Sequence, residues 1–318
     1  MPFITVAIPT YRRLPMLRRA VESVFAQTFA DWELVVSDDE MPSGETWRFL
    51  NEIASADPRV RPIKNAPPHG APFNHNTALK AACGEWIKIL EDDDVLKPNC
   101  LDVLANVVKG RRDVVAASCA CEIFVDGKLV GPFYRRDRGL LEEIGPNDAL
   151  LAMYILDEAC WARPTQQMVH RSVVDAGVLF EKAPGISHLY DAWFNARVRA
   201  CGPSLIYNAP LAEWHQGKHE SLTSAITQDQ LLKEFVAFRR LILPLVPMNK
   251  NPPDLRCVER MVILVQSFVH LRFMRLGAAA KLAIGVWDPR AYNMAIRWLL
   301  RQFYPRRFSS IDRKVVWQ

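Results

Sequence analysis

The hydrophobic pattern over the first part of the chain switches repeatedly between two periods. FITVAIP (3–9) is an unbroken apolar run, as expected of a parallel strand buried on both faces. Pro15 opens an amphipathic stretch over 15–27 that sets Leu17, Ala20, Val21, Val24 and Phe25 on one helical face. WELVVS (32–37) predicts a second strand and 43–56 a second helix. VRPIK (60–64) predicts a third strand, and 73–83 a third helix closed by Gly84. WIKIL (86–90) predicts a fourth strand, and a helix opened by Pro98 runs to Val108. Strand and helix alternating in this way predict an α/β fold: a Rossmann-like, mostly parallel sheet flanked by helices.

Beyond Arg112 the pattern loosens. DVVAASCACEIF (113–124), QMVHRS (167–172) and SLIYN (204–208) read as strands, DGKL (126–129) as a hairpin turn, and 190–200 as a helix. From about Gln228 the chain reads as helix to its end, interrupted at Pro244, Pro247, Pro252, Pro253, Gly285 and Pro289. The expected organisation is an α/β domain over 1–225, divided near residue 110, and a helical C-terminal region over 226–318. The pattern shows no internal repeat and no low-complexity segment.

Composition changes the picture little. Half of the residues are hydrophobic and 24% are charged, as in an ordinary soluble globular protein. The net charge of +5 is unevenly spread, however. Residues 256–318 hold twelve Lys and Arg against three acids, an excess of +9 that leaves about −4 for the rest. That tail carries no groove-reading motif, so nucleic acid is not expected as a partner. Seven cysteines, an odd number without metal-site spacing, read as free thiols in a reducing compartment. The N-terminus reads as a first strand and not as a signal peptide, and no run of 18 uncharged apolar residues occurs. A cytoplasmic protein, or one peripheral on the inner face of the membrane, is expected.

Candidate chemistry gathers where the predicted strands end. Ligands of open α/β sheets bind at the carboxyl ends of the strands. Pro9–Arg13, Asp38–Asp39, Asn65–Asn76 and Glu91–Asp94 all fall there. ILEDDDVLKP (89–98) sets four carboxylates in a row as a strand leaves the core. Two carboxylates at ~4 Å repel by about 4 kcal/mol at an effective dielectric of ~20. Water, basic side chains or a hard divalent cation with oxygen ligands could offset that cost.

VAIPTYRR (6–13), SVFAQTFADWELVVSDD (23–39), GEWIKILEDDDVLKP (84–98) and HLYDAWFNARV (188–198) together resemble the family-2 glycosyltransferases, in their order and spacing over roughly 1–220. The resemblance implies the GT-A fold, with 1–110 as nucleotide-binding half and 111–225 as acceptor half. It also implies inverting, metal-dependent, hexosyltransferase-type transfer from a nucleotide-diphosphate sugar, UDP first, in cell-surface glycan or polysaccharide synthesis. Pro9, Thr10, Tyr11 and Arg13 correspond to the first nucleotide loop, with Tyr11 near the base and Arg13 near the phosphates. Asp39 corresponds to the acid that accepts from the base. Asp92 and Asp93 correspond to the DxD acids facing the sugar nucleotide, with Asp93 on a Mg or Mn ion and Glu91 in place of the usual leading Asp. Asp191 corresponds to the catalytic base. His215 or His219 corresponds to a group near the diphosphate or metal. Gly70 and Asn76 keep the pattern of the third loop, where His75 replaces an Arg, and Glu40 replaces the small residue after SDD.

Two other readings are open. Sugar-nucleotide pyrophosphorylases need a Gly-rich basic loop after the first strand, which IPTYRRLP lacks. A catalytically inactive GT-A-fold protein that binds a sugar nucleotide or glycan is the alternative function. Within the tail, Tyr292, Ile296, Leu299, Leu300 and Phe303 form one helix-spaced apolar face, with Arg290, Arg297 and Arg301 off it. That face predicts either packing on the catalytic domain or peripheral contact with an anionic membrane through 256–318. A glycan or lipid-linked acceptor is the expected second substrate.

Overall fold

Strands β1 (Ile4–Thr10) and β2 (Trp32–Asp38) are buried at every position, which explains why they read as continuous apolar runs. The computed structural model describes residues 1–40, 44–133, 139–155, 162–217, 226–272, 286, 288–301 and 314–317. β3 (Val60–Lys64) and β4 (Trp86–Ile89) complete a parallel block in the order β3-β2-β1-β4. Helices α1 (Leu14–Phe25), α2 (Glu45–Ala56), α3 (Ala71–Ala81) and α4 (Cys100–Val108) connect and cover it. Ile4, Val6 and Ile8 face a core with Leu17, Val21, Leu34, Leu101 and Leu104. Ala7, Val35, Ile87 and Ile89 face a second core with Leu79, Val169, Phe194 and Val198.

The rest of the sheet is mixed. β9 (Gln167–His170) lies antiparallel between β4 and β6 (Ala116–Val125), and β10 (Ser204–Gln216) runs parallel to β6. β5 (Val95–Leu96) pairs antiparallel with β10, β7 (Lys128–Phe133) with β6, and β8 (Leu141–Ile144) with β10. Helices α5 (Pro146–Tyr154), α6 (Arg171–Asp175), α7 (Tyr190–Ala200), α8 (Gln228–Ile242), α9 (Leu255–Arg272) and α10 (Pro289–Arg301) follow in chain order. α8, α9 and α10 share one core with α5 and α7, built from Met153, Tyr154, Ala196, Phe238, Met261 and Ala295 among others.

Several expectations are corrected. Phe25 ends α1 39% exposed, packed edge-on against Trp32, because its position has rotated off the core face. α3 ends at Ala81, and Gly84 serves a different purpose. A Cβ there would stand 2.5 Å from the Thr5 backbone nitrogen, so Gly84 permits close approach to the first strand. The strand over 167–172 stops at His170, where α6 begins with the His170 ring accepting from Ser172 N–H. β10 runs on from 208 to Gln216, with a register shift at Pro210, which has no N–H to give the ladder. β5, β8 and α5 carry no clear pattern in the sequence. The chain does not stay helical: β11 (Lys314–Trp317) adds antiparallel to β8. The DGKL turn is present, with Asp126 and Gly127 both left-handed at φ 47° and 75°.

Candidate functional site

Parallel register brings the carboxyl ends of β1, β2, β3 and β4 to one edge of the sheet, where the four acids after β4 meet their partners, Asp92 and Asp93 sharing Arg13. Thr10 Oγ1 donates to Asp92 Oδ2 at 2.8 Å. Arg13, just before α1, reaches Asp92 at 3.3 Å and Asp93 at 3.2 Å through one guanidinium nitrogen. His75 Nε2 stands 2.8 Å from Glu91 Oε1. Asp94 is buried and accepts from Thr165 Oγ1 at 2.5 Å and from the His215 N–H at 2.9 Å. Hydrogen bonds and two basic side chains thus offset the repulsion that four adjacent carboxylates impose. The compensation is incomplete at Asp92, where burial pushes the carboxyl up to about 7 against the charge of Arg13.

Beside this rim lies a cradle around Asp39. Its Oδ1 accepts from Asn65 Nδ2 and lies 2.7 Å from His69 Nδ1, and its Oδ2 accepts from the Gly70 N–H at 2.8 Å. The Asp39 N–H donates to Thr10 O at 3.0 Å, so the cradle is tied to β1. Tyr11 is 49% exposed, with the Arg12 guanidinium 5.0 Å from its ring centre. Arg12 itself holds φ 54°, a strained turn that parts Tyr11 from Arg13. Pro9 is buried within β1, opposite Ser37. Asn76 directs both amide atoms at the Phe180 backbone, at 2.7 and 2.8 Å, and so joins α3 to the 180 loop.

Asp191 lies in the first turn of α7, where its Oδ1 accepts from the Ala192 N–H at 2.7 Å. Desolvation raises its pKa, opposed by that N–H and by the charges of Arg163 and His75. Arg163 stacks 3.4 Å over the Trp214 ring on β10. His215 stacks on Phe124 at 4.8 Å, its Nε2 lying 2.9 Å from Glu213 and 3.0 Å from Arg19. His219 lies outside the described residues, as does the centre of the loop after Glu40.

The edge therefore sets a carboxylate rim and an arginine next to an exposed aromatic ring, with a recessed carboxylate at a helix start. Among the described residues, no group of three or more His, Cys, Asp or Glu side chains could by itself hold a metal ion. The chemistry of the donor set still suits a cation at Asp93, whose carboxylate already faces the positive charge of Arg13 at 3.2 Å. Sequence reasoning missed the His75–Glu91 pair, the Asn65 and His69 contacts, Thr165 and the Arg163–Trp214 stack. It also missed Lys88, fully buried in β4, which donates to the carbonyls of Ile89, Thr165 and Gln167. A lysine within a strand buried on both faces was the available signal for that last group. Cys83, Cys100, Cys119, Cys121, Cys201 and Cys257 are free, as the spacing predicts.

Residues 5–147 match the profile of the family described as Glycosyl transferase family 2. A GalNAc(5)-diNAcBac-PP-undecaprenol beta-1,3-glucosyltransferase of Campylobacter jejuni is 30% identical over 155 residues, which are 48% of this chain and 49% of the relative. The UDP-Glc:alpha-D-GlcNAc-diphosphoundecaprenol beta-1,3-glucosyltransferase WfgD of Escherichia coli is 30% identical over 130 residues, 41% of this chain and 50% of the relative. The chain thus spans about half the length of these two relatives. In structure it is similar to S. aureus TarS 1–349 in complex with UDP-GlcNAc, at TM-score 0.60 and 16% identity, covering 96% of this chain and 88% of that one. The mannosyltransferase PcManGT from Pyrobaculum calidifontis, in complex with GDP-Man and Mn2+, gives TM-score 0.55 and 20% identity, covering 96% and 82%. The sequence match over 5–147 and the shared architecture lead to one assignment: residues 5–147 belong to glycosyl transferase family 2, and the chain has the GT-A fold.

Proposed function

We propose that the protein is an inverting, metal-dependent, hexosyltransferase-type enzyme that moves a sugar from a UDP-sugar to a hydroxyl of a lipid-linked glycan, in cell-surface polysaccharide synthesis. The observation that carries this reading is the pair of separate carboxylate sites: the Asp92–Asp93 rim under Arg13 and the recessed Asp191. Residues 1–225 would act as the catalytic domain and 226–318 as a helical region packed on it. In this reading Tyr11 stacks on the base and Asp39 accepts from its ring N–H, with Pro9 and Thr10 shaping the turn between them. Arg13 and Asp92 orient the diphosphate and sugar, and Asn76 fixes the loop that borders them. Asp93 and His215 are the residues that would hold a divalent cation. That cation, when bound, would supply charge neutralisation for the departing diphosphate. Asp191 accepts the proton of the acceptor hydroxyl as that oxygen attacks the anomeric carbon from the face opposite the diphosphate. The UDP-Glc in the name of the Escherichia coli relative and the UDP-GlcNAc in complex with TarS support a UDP-sugar first.

A panel of UDP- and GDP-sugars, scored by released nucleoside diphosphate with Mn2+ and with chelator, tests the proposal. Release from at least one donor is expected, lost with chelator and in Asp93→Asn while the variant keeps its thermal unfolding midpoint. Donor binding without release by the metal-loaded protein, even with lipid-diphosphate glycan acceptors, would favour a binding protein instead.

A further inference from the structure

Glu234 is 4% exposed on α8, a helix whose Phe238 and Ile242 are buried in the core shared with α5 and α7. A carboxyl group in such a setting is costly unless hydrogen bonds hold it. Its bonds converge on one place, the turn just before α7. The His188 and Leu189 N–H groups donate to Oε2 at 2.8 and 3.0 Å. His188 Nδ1 lies 2.8 Å from Oε1, and a neutral ring with its hydrogen on Nδ1 donates to it. α7 has no side-chain cap of its own, because Leu189 stands at its N-cap position. Glu234 ties down that start from a different helix. Three residues along α8, Ala237 meets the same turn. Gly185 there holds φ 76°, and a Cβ on it would stand 2.8 Å from Ala237 Cβ. The Ile186 N–H closes the turn on the Ala183 carbonyl at 2.8 Å. Asp191 follows Leu189 by two residues, in the first turn of α7.

From this geometry we infer that Glu234 is a positioning residue: from the C-terminal region it anchors the 187–189 turn and so fixes where the Asp191 carboxylate stands. It acts through Asp191, so the inference rests on the role proposed for that residue above. A base must stand within hydrogen-bond reach of the proton it takes, and a misplacement of ~1 Å can cost about 10²-fold in rate. α8 therefore belongs to the working catalytic unit, although it lies well beyond residues 5–147. The anchor needs reach and acceptors, not charge. A glutamine has the same reach, and its carbonyl oxygen can accept from both backbone N–H groups. Its amide can donate to His188 Nδ1 once the ring hydrogen moves to Nε2. An aspartate keeps the charge, but it is one methylene shorter and falls short of the turn.

Two readouts on the full chain separate this anchor from general stabilisation. Amide hydrogen exchange over 187–192 needs no turnover. Glu234→Ala and Glu234→Asp should each speed it by about tenfold or more, while Glu234→Gln should stay near the parent. Nucleoside-diphosphate release is read with Mn2+, the panel of UDP- and GDP-sugars and lipid-diphosphate glycan acceptors. Glu234→Ala and Glu234→Asp should lower kcat by about 10–10²-fold and leave donor KM within about twofold, and Glu234→Gln should restore kcat. Ile242→Ala removes a core contact at the end of α8, away from the turn. It should lower the unfolding midpoint and leave kcat unchanged, which a role in stability alone would not distinguish from Glu234→Ala. Should Glu234→Ala fail to fold, the milder Glu234→Asp decides. Parent-like exchange in Glu234→Asp, or fast exchange with the parent's kcat, overturns the inference. Rescue by Glu234→Asp and not by Glu234→Gln overturns it as well. A parent that releases nothing, with exchange as expected, sinks the catalytic reading and leaves the anchor standing.

Discussion

Asp191 and Asp38 are both carboxylates that burial disfavours as anions, and the consequences of that cost are different. For Asp191 the raised pKa makes a stronger base, and the activity should fall as pH drops through that raised value. Asp191→Asn should lower kcat by about 10²–10⁴-fold and leave donor KM nearly unchanged, because in the proposed function this carboxylate acts on the acceptor. Steady-state kinetics with a saturating acceptor would show it; equal losses in donor affinity and rate would point to a donor-site role. Asp38 has no such use. Desolvation raises its pKa to about 6, opposed by the Glu40 N–H that it accepts and reinforced by the charges of Glu40 and Asp39. Its folded value thus exceeds its unfolded one, so its contribution to stability is fully present below the ordinary carboxylate range and is lost as pH rises through 6. Asp38→Asn keeps an acceptor for the Glu40 N–H and removes the buried charge. It should stabilise the protein by about 1–2 kcal/mol at pH 8 and by almost nothing at pH 4. Urea unfolding at the two values decides this, and a less stable variant at pH 8 would show that the charge is favourably held.

Elements reveal what a one-dimensional pattern can and cannot carry. The parallel block was legible because strands buried on both faces must be continuously apolar, and their helices must show one apolar stripe. The four site loops were legible for the same reason, since strand ends fix where ligand-facing residues lie. β5, with two residues, and β8, with two acids among four, offer too short or too mixed a pattern to stand out. Pairings between distant segments were invisible: Glu91 with His75, Asp94 with Thr165, and Asn76 with Phe180 are set by tertiary approach. Gly84 shows the limit well, because the same residue type closes helices and admits close backbones. Its mutation separates the two roles. A Cβ there meets Thr5 backbone and Oγ1 at 2.5 and 2.8 Å, in the central part of the sheet. Gly84→Ala should therefore destabilise by about 2–4 kcal/mol, well beyond any helix-end effect. A thermal unfolding midpoint within a degree of the parent's would mean that the β1–β4 edge yields without cost.

At the scale of the whole molecule, the basic C-terminal region combines packing with an outward face. α10 buries Ala291 and Ala295 in the core it shares with α5, α7, α8 and α9. The flank of the helix keeps part of the predicted apolar stripe: Ile296 is 49% and Leu299 39% exposed, while Tyr292, one turn before Ile296, packs partly against that core. Arg290 pairs with Asp254 at 2.9 Å, and Arg297 donates to Asn293 at 3.1 Å. The Leu300 side chain and Phe303 lie outside the described residues. No helix among the described residues is long and apolar enough to cross a membrane. Packing and surface association are therefore compatible, one through the buried alanines and the other through the exposed flank of α10. Our proposal is that the outward face, with the +9 excess of residues 256–318, holds the enzyme on anionic lipid near a lipid-linked acceptor. Each Lys or Arg near such a surface contributes about 1 kcal/mol, and exposed Ile and Leu add apolar burial. The intact chain should co-sediment with phosphatidylglycerol-containing vesicles at low salt, less at high salt, and not with neutral vesicles. Ile296→Glu combined with Leu299→Glu changes only exposed positions, so the unfolding midpoint should hold while vesicle binding drops severalfold. A parent protein that stays in the supernatant at low salt would leave α10 with packing as its only role.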